Sequence, residues 1–216
     1  READGDMEGV YIRSVAIHSI GTRAKRRELR PLVNFGVSGY FSADGRYFAV
    51  TGEWEPEFDN QPPPFEGQNI VQVWDVTTGA EVLRLHLSEN ARNPWVAFGG
   101  EALLVGSLRL QKPVGLYDLA TGNLIRRYRS DIPSGTFALS PNGQTLVSLT
   151  GTSDELVRRD ARTGTVLDKT KSPFGKLDSP YTKGLAVRDD GTVTILQVVG
   201  QTVHAWSAPA GEPLTQ

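Results

Sequence analysis

The chain has 216 residues, of which 38% are hydrophobic and 22% charged, a composition typical of globular rather than disordered proteins. Its 23 basic and 25 acidic residues give a net charge of -2, which excludes a broad basic field for nucleic acid or anionic lipid. It has no cysteine, which excludes disulfides, thiolate zinc sites and cysteine nucleophiles. Its apolar stretches are strand-sized, well short of the roughly 20 residues that a membrane-spanning helix needs.

The first nine residues, READGDMEG, are mostly charged or small and do not begin with methionine. They match neither a secretory signal peptide, which has an apolar central region, nor a natural start. We therefore expect residues 1–9 to be a lead-in or linker, and the chain to be part of a longer polypeptide. The sequence does not fix the compartment, and we favour the cytoplasm.

Residues 10–33 predict a partial structural unit with strands at 10–18 and 27–33. The segment VAIHSIGTRAKRREL from Val15 is a weak copy of a phrase that recurs downstream. Its basic run, TRAKRRELR, has arginines of the type that contact phosphate groups. We favour an outer strand instead, because charged residues protect exposed sheet edges and no aromatic residues lie among the basic ones to stack on bases.

A hairpin phrase follows and occurs four times. The copies are GYFSADGRYFAVTG from Gly39, WVAFGGEALLVGS from Trp95, TFALSPNGQTLVSLTG from Thr136 and LAVRDDGTVTILQVVG from Leu185. Each copy joins two apolar or alternating runs by a short turn rich in Asp, Asn or Gly, the residues that accept the positive φ angles of tight hairpins. Each therefore predicts a pair of antiparallel strands.

A second phrase follows each hairpin. Its copies are VQVWDVTTGAEVLRL from Val71, VGLYDLATGNLIRRY from Val114, LVRRDARTGTVLDKT from Leu156 and VHAWSAPAGEPL from Val203. The position of Trp74 in the first copy is occupied by Tyr117, Arg159 and Trp206 in the later copies. They are 43, 42 and 47 residues apart, the near-constant period of a repeat protein. A central glycine turn divides each copy into two strands, so each repeat predicts four antiparallel strands, and no segment has a helical period.

The pairing of FSADGRYFAV with VWDVTTGAEV resembles the WD40-repeat family, especially its divergent bacterial members, over residues 10–216. The resemblance implies an all-β β-propeller of four-stranded antiparallel blades. Four to five blades are represented, as part of a larger ring such as a seven-bladed one, with the remaining blades expected from flanking sequence. The expected units are a partial blade at 10–33, blades at 35–87, 94–129 and 134–170, and a partial blade at 182–216.

The tryptophan-aspartate dipeptide of the family is intact only at Trp74 and Asp75. The equivalent pairs are Tyr117 with Asp118, Arg159 with Asp160, and Trp206 with Ser207, and Asp154 stands where the family often has a turn aspartate. The aspartates Asp75, Asp118 and Asp160 recur once per repeat. We therefore interpret them as structural turn residues rather than as a converging catalytic pair.

Patterns for catalysis and metal binding are absent from the sequence. His18, His86 and His204 lie in different repeats without metal-ligand spacing, and no nucleophile elbow or phosphate-binding loop occurs. We predict no enzyme activity, no cofactor and no metal site. The alternative is part of a propeller-based enzyme, a hydrolase or a quinone-dependent dehydrogenase, with polar residues converging on the axis. The innermost strands offer only Arg188 and Asp189 as charged candidates for it.

Expanded connections follow the second or the fourth strand of a repeat at residues 54–68, 107–113 and 171–181, and in an up-and-down sheet these two kinds of connection emerge on the same face. The candidate partner-binding residues in them are Trp54, Glu55, Phe58, Phe65, Phe174 and Tyr181. Aromatic side chains in charged surroundings on loops of a rigid scaffold are typical of protein-recognition surfaces. We therefore predict a scaffold that binds other proteins or peptides and not nucleic acid. Two alternatives stay open: the aromatic residues cover the blades, or a peptide or small ligand binds in the central channel.

Overall fold

The protein is described from a computed structural model. The structure describes residues 14–18, 25–33, 35–53, 69–87, 94–107, 114–128, 136–149, 155–171, 182–199 and 202–209. Within these ranges every regular element is a strand and none is a helix. The described part of the chain therefore has no helix that is both long and apolar enough to span a bilayer.

The described residues form five antiparallel sheets in which strands consecutive in the chain are neighbours. Sheet 1 contains β1 (Val15–His18) and β2 (Lys25–Leu29). Sheet 2 contains β3 (Phe35–Phe41), β4 (Tyr47–Glu53), β5 (Asn69–Asp75) and β6 (Glu81–His86). Sheet 3 contains β7 (Pro94–Gly99), β8 (Ala102–Ser107), β9 (Val114–Asp118) and β10 (Leu124–Tyr128). Sheet 4 contains β11 (Thr136–Leu139), β12 (Thr145–Leu149), β13 (Glu155–Asp160) and β14 (Val166–Lys171), and sheet 5 contains β15 (Thr182–Val187), β16 (Val193–Val199) and β17 (Thr202–Ala208).

The sheets are arranged side by side around the strands that come first in each repeat. From sheet 2 onward, the first strand of a sheet contacts the first strand of the next: β3 contacts β7, β7 contacts β11, and β11 contacts β15. In sheets 2 to 4 the strands then run outward in chain order, from a at the inside to d at the rim. This radial arrangement of small antiparallel sheets is a β-propeller, which confirms the predicted all-β fold class.

The hydrophobic core consists of one cluster between each pair of successive sheets. Between sheets 2 and 3, Val71 and Val73 of strand β5 pack with Leu103 and Val105 of strand β8. Equivalent clusters lie between sheets 1 and 2, sheets 3 and 4, and sheets 4 and 5. Since side chains alternate between the two faces of a strand, each inner sheet contributes one set of apolar residues to each neighbour. Burying each such side chain contributes about 1.5–3 kcal/mol, which makes the sheets mutually dependent.

The outer strand of sheet 1 differs from the prediction of residues 27–33. Strand β2 spans Lys25–Leu29, and the chain leaves the strand conformation before Pro31, which has no backbone N–H for a sheet ladder. The backbone N–H of Leu32 instead donates to the Gln72 side chain of sheet 2, with a distance of 2.7 Å from N to Oε1. Strand β1 begins at Val15, and residues 10–13 of its predicted range lie outside the described residues.

Candidate functional site

The turns between strands a and b and between strands c and d lie on one face of the propeller, which we call the turn face. It is formed by residues 42–46, 76–80, 100–101, 119–123, 140–144, 161–165 and 188–192. Because successive strands run antiparallel, the b–c and d–a connections emerge at the opposite end, which we call the loop face. These two faces and the rim are the surfaces on which a functional site can lie.

The c–d turns of sheets 2, 3 and 4 are each organised by one aspartate at the end of strand c. Asp75 Oδ1 accepts hydrogen bonds from the backbone N–H groups of Thr77 and Thr78, at 2.8 and 3.0 Å. Asp118 and Asp160 accept the same two bonds from the residues two and three positions later. These bonds lower the pKa of all three carboxyls, and the bond from the third residue has the largest effect. The three carboxylates are therefore fixed in three separate turns.

A glycine completes each of these turns. Gly79, Gly122 and Gly164 have φ angles of 77°, 70° and 73°, in the left-handed region that residues with a Cβ adopt at a cost. Each glycine N–H donates to the carbonyl of the turn aspartate, with distances of 2.7 to 2.9 Å. The spacing of Asp and Gly in the repeated phrase therefore encodes one turn geometry three times.

The a–b turns of sheets 2 and 4 use a serine with Asp or Asn in the same way. Ser42 Oγ donates to Asp44 Oδ1 at 2.6 Å, and the backbone N–H of Arg46 donates to the same oxygen at 3.0 Å. These bonds, the one from Ser42 first, lower the pKa of Asp44. Arg46 also joins the two turns of sheet 2, since its Nε donates to Asp75 Oδ2 at 3.1 Å. Ser140 and Asn142 repeat this arrangement in sheet 4.

Neighbouring sheets are tied together by side chains that donate to the next c–d turn. The Arg27 guanidinium donates to the carbonyls of Val76 and Thr77, so this member of the basic run binds backbone of sheet 2. The Tyr128 hydroxyl donates to the carbonyl of Ala161, and burial raises the pKa of Tyr128 to about 12. In both cases the acceptor belongs to the residue directly after the turn aspartate or to the next one. The side chains of Lys25 and Arg26 lie outside the described residues.

A third tie uses a buried ion pair that the sequence analysis missed. Arg158 of strand β13 is 1% exposed, and its Nη1 donates to Asp168 Oδ1 at 2.7 Å. Its Nη2 donates to the carbonyl of Pro209, next to sheet 5, at 2.9 Å. A signal was available, because Arg158 occupies the position, two residues before the turn aspartate, where sheets 2 and 3 have Val73 and Leu116.

The two charged candidates for an axial site belong to the turn face. Arg188 closes the β15–β16 turn, where its N–H donates to the Thr192 carbonyl at 2.9 Å. Asp189 Oδ1 accepts the backbone N–H of Asn142 in the neighbouring turn at 2.8 Å. Both residues are exposed. Among the residues that the structure describes, no group of three His, Asp or Glu side chains is placed to hold a metal ion.

The three histidines lie on β1, β6 and β17, in three different sheets. The His204 ring stacks on the Trp206 ring, with 5.4 Å between the ring centroids. Trp206 in turn packs against the cluster between sheets 4 and 5, and Trp74 is buried between sheets 1 and 2. The described histidines are therefore strand residues placed apart from one another.

The predicted binding residues fall on connections of the loop face that lie outside the described residues. These are Trp54, Glu55, Phe58, Phe65, Phe174 and Tyr181, and the predicted turn residue Asp154 also lies outside. The structure does describe the two residues that flank the first of these connections. Strand β4 ends at Glu53 and strand β5 begins at Asn69, and these two residues pair across the ladder. The 15 residues between them leave and return at one point of the loop face.

No protein-family model and no curated protein sequence matches this chain. Its structure is similar to the β-propeller domain of Cps50 (Swd1) from Myceliophteria thermophila, with a TM-score of 0.60 at 17% identity. It is also similar to hydrazine synthase from Kuenenia stuttgartiensis, with a TM-score of 0.60 at 13% identity. The matches cover 91% and 94% of this chain, but 59% and 66% of those chains. At such identities the likeness shows the propeller fold alone.

Proposed function

We propose that this chain is a non-catalytic WD40-like β-propeller scaffold, a module of a longer protein, whose loop face mediates protein–protein interaction. The observation that carries the proposal is the difference between the two faces. The described turns of the turn face contain two to five residues and are closed by backbone hydrogen bonds. The connection between β4 and β5 on the loop face has 15 residues, against 6, 5 and 2 in the equivalent connections of sheets 3, 4 and 5.

The hydrogen bonds made by the turn aspartates favour a scaffold over an enzyme. A general acid or base has to reach a substrate, and its pKa has to suit proton transfer. Asp75, Asp118 and Asp160 instead accept backbone N–H bonds, which lower their pKa and hold them as charged turn caps. Each belongs to a different sheet, so the recurrence reflects the repeat rather than a shared site.

The composition of the long connection favours a protein partner. Residues 54–68 read WEPEFDNQPPPFEGQ, in which three aromatic residues alternate with acidic ones and four prolines, three of them consecutive, restrict the backbone. Aromatic side chains supply large contact areas in protein interfaces, and a restricted loop loses less conformational entropy on binding. The proposal therefore places the main contact on Trp54, Phe58 and Phe65.

The test is a triple variant, Trp54→Ala, Phe58→Ala and Phe65→Ala, in the natural full-length protein. Partners that co-purify are measured by quantitative mass spectrometry, and folding is checked by thermal unfolding. We expect the partners to be lost while the melting temperature is retained.

The matched control is a triple variant of the turn face, Thr77→Ala, Gln144→Ala and Arg162→Ala, whose members are exposed. It is expected to retain the partners. An unchanged partner set in the loop variant would exclude residues 54–68 as the binding surface. Loss of the partners in the control alone would place the interaction on the turn face.

A further inference from the structure

Sheet 5 has an outward face, which we define by Leu196, Val203 and Ala205. In the pairing of β16 with β17, Leu196 is opposite Ala205, and Ile195 is opposite Trp206. Ile195 and Trp206 belong to the cluster between sheets 4 and 5. Because side chains alternate along a strand, Leu196 and Ala205 point away from sheet 4. Val203, two residues before Ala205 on the same strand, shares this face.

The same positions are buried wherever a further sheet follows. Val71 lies on strand c, four residues before Asp75 at the end of that strand. The equivalent residues of the next two sheets are Val114 and Leu156, and all three side chains are at most 5% exposed. The equivalent residue of sheet 5, Val203, is 62% exposed.

Strand b gives the same contrast. Ala49 and its equivalents Leu104 and Val147 are fully buried. The equivalent residue of sheet 5, Leu196, is 41% exposed. Two adjacent strands therefore present, on one face, apolar side chains at positions that are core positions in every preceding full sheet.

We infer that the outward face of sheet 5 is an interface that docks a further sheet of the same repeat. The matched interfaces define the chemistry of that partner. Sheet 3 covers sheet 2 with Val96, Leu103, Val105 and Leu119, and sheet 4 covers sheet 3 with Leu139, Leu146 and Ala161. The occupant is a β-sheet with aliphatic residues on strands a and b and a small or branched apolar residue after the end of strand c.

The contact with this occupant is apolar rather than ionic. Ala205 stands at the position of Val73, Leu116 and Arg158 in the preceding sheets. It cannot supply the charged donor that Arg158 directs at the carbonyls next to sheet 5. Sheet 2 has the apolar residues Val73 and Leu83 where sheet 4 has its ion pair. The interface between sheets 2 and 3 is therefore the one to compare with this contact.

Other exposed apolar residues do not carry the same inference. Val82 and Leu167 lie on the outer strands of sheets 2 and 4, where they are 36% and 57% exposed, and Ile125, at the equivalent position of sheet 3, is also only partly buried. Isolated apolar residues on a rim are common in folded proteins. The outward face of sheet 5 is distinguished by the burial of its equivalents and not by exposure alone.

The inference concerns the extension of the propeller and does not depend on which partner the loop face binds, so the two proposals fail separately. We assign the docked sheet to the same polypeptide, because sheets 2, 3 and 4 are each covered by the sheet that follows them in the chain. A second copy of the chain seated on the face is the competing occupant.

The absence of cysteine permits a direct test in the natural full-length protein. Single variants Val203→Cys and Leu196→Cys probe the outward face, and Leu167→Cys on the rim is the matched exposed control. Reaction with a maleimide is followed by mass spectrometry under native conditions, and thermal unfolding verifies that each variant is folded. We expect both face cysteines to react at least about tenfold more slowly than the control, since only local opening of the interface would expose them.

The same variants in a polypeptide limited to residues 1–216 give the second arm of the test. There Val203→Cys is expected to react as fast as Leu167→Cys. Equal rates for these two variants in the full-length protein would overturn the inference. Protection that disappears on dilution would show that a second copy covers the face and would overturn the assignment to the same polypeptide.

Discussion

Removal of the Asp168 carboxylate is expected to destabilise the interface between sheets 4 and 5. Arg158 is 1% exposed, and Asp168 Oδ1 at 2.7 Å is the counter-charge of its guanidinium. In Asp168→Ala the arginine stays buried and keeps its bond to the Pro209 carbonyl, but its charge has no partner. Breaking a buried ion pair costs about 3–5 kcal/mol. Since the Asp168 side chain is 25% exposed, water compensates in part, and we expect a loss of about 3 kcal/mol.

The double variant Arg158→Leu with Asp168→Leu tests the cause of this loss. The residues that pair at the equivalent position of sheet 2 are Val73 and Leu83, so an apolar pair is already compatible with this architecture. Replacing a buried ion pair by apolar residues is often neutral or stabilising by about 1–4 kcal/mol. We therefore expect the double variant to be markedly more stable than Asp168→Ala.

Urea unfolding followed by tryptophan fluorescence measures both variants, because Trp206 packs against the affected cluster. The control is Lys169→Ala, which removes the exposed pair of Lys169 with Glu155, 3.2 Å apart, and should cost less than about 1 kcal/mol. The reasoning would be refuted if Asp168→Ala cost no more than Lys169→Ala. It would also be refuted if the double variant were as unstable as Asp168→Ala, because the lost charge balance would then not be the cause.

Two further predictions concern the turn face. Gly143→Ala is expected to lower the melting temperature more than Gly45→Ala. Both glycines have positive φ, worth about 1–2 kcal/mol for a residue with a Cβ, but only at Gly143 would the Cβ also collide with the backbone carbonyl oxygen of Gly99, which cannot swing aside as a side chain can. Equal melting temperatures would contradict this account. Acidification is expected to remove the stability that Asp118 contributes, because its pKa is lowered in the folded state, chiefly by the backbone N–H of Thr121. That stability is fully present above the ordinary value of 3.8 and is lost as the pH falls through the folded pKa. Urea titrations of Asp118→Asn between pH 7 and pH 3 should show a weaker loss on acidification than the natural protein, and parallel losses would exclude the carboxylate as the cause.

The features that could be predicted from the sequence are those set by a few consecutive residues. Alternation along Phe48 to Thr51 and a glycine turn such as Gly79 determine a strand or a hairpin locally, and their repetition every 42 or 43 residues indicated the propeller. The residues that could not be predicted act between sheets. Arg27 was interpreted as an edge residue, whereas it donates to carbonyls 49 and 50 residues away. No local pattern predicts such a partner.

The outer strand of sheet 1 shows a second limit. Residues 30–33 were included in the predicted outer strand, but Pro31 interrupts the ladder and the Leu32 N–H donates to the Gln72 side chain. Likewise the binding residues on the connection after Glu53 were chosen by composition alone, and they stay a prediction. Periodicity reports what a residue does within its own sheet and carries no information on what a loop touches.

The ladder that runs from Tyr47 opposite Asp75 to Glu53 opposite Asn69 holds seven consecutive pairs in register right up to the base of the long connection. Whatever the connection contains, its two ends are anchored by these pairs, and each doubling of a flexible loop adds only about 0.6 kcal/mol to the cost of closure. A change in the length of the connection is therefore expected to have little effect on the stability of the ladder. A related protein could carry a different sequence at this point, and an engineered epitope or affinity peptide could be grafted there, with the sheet beneath unchanged.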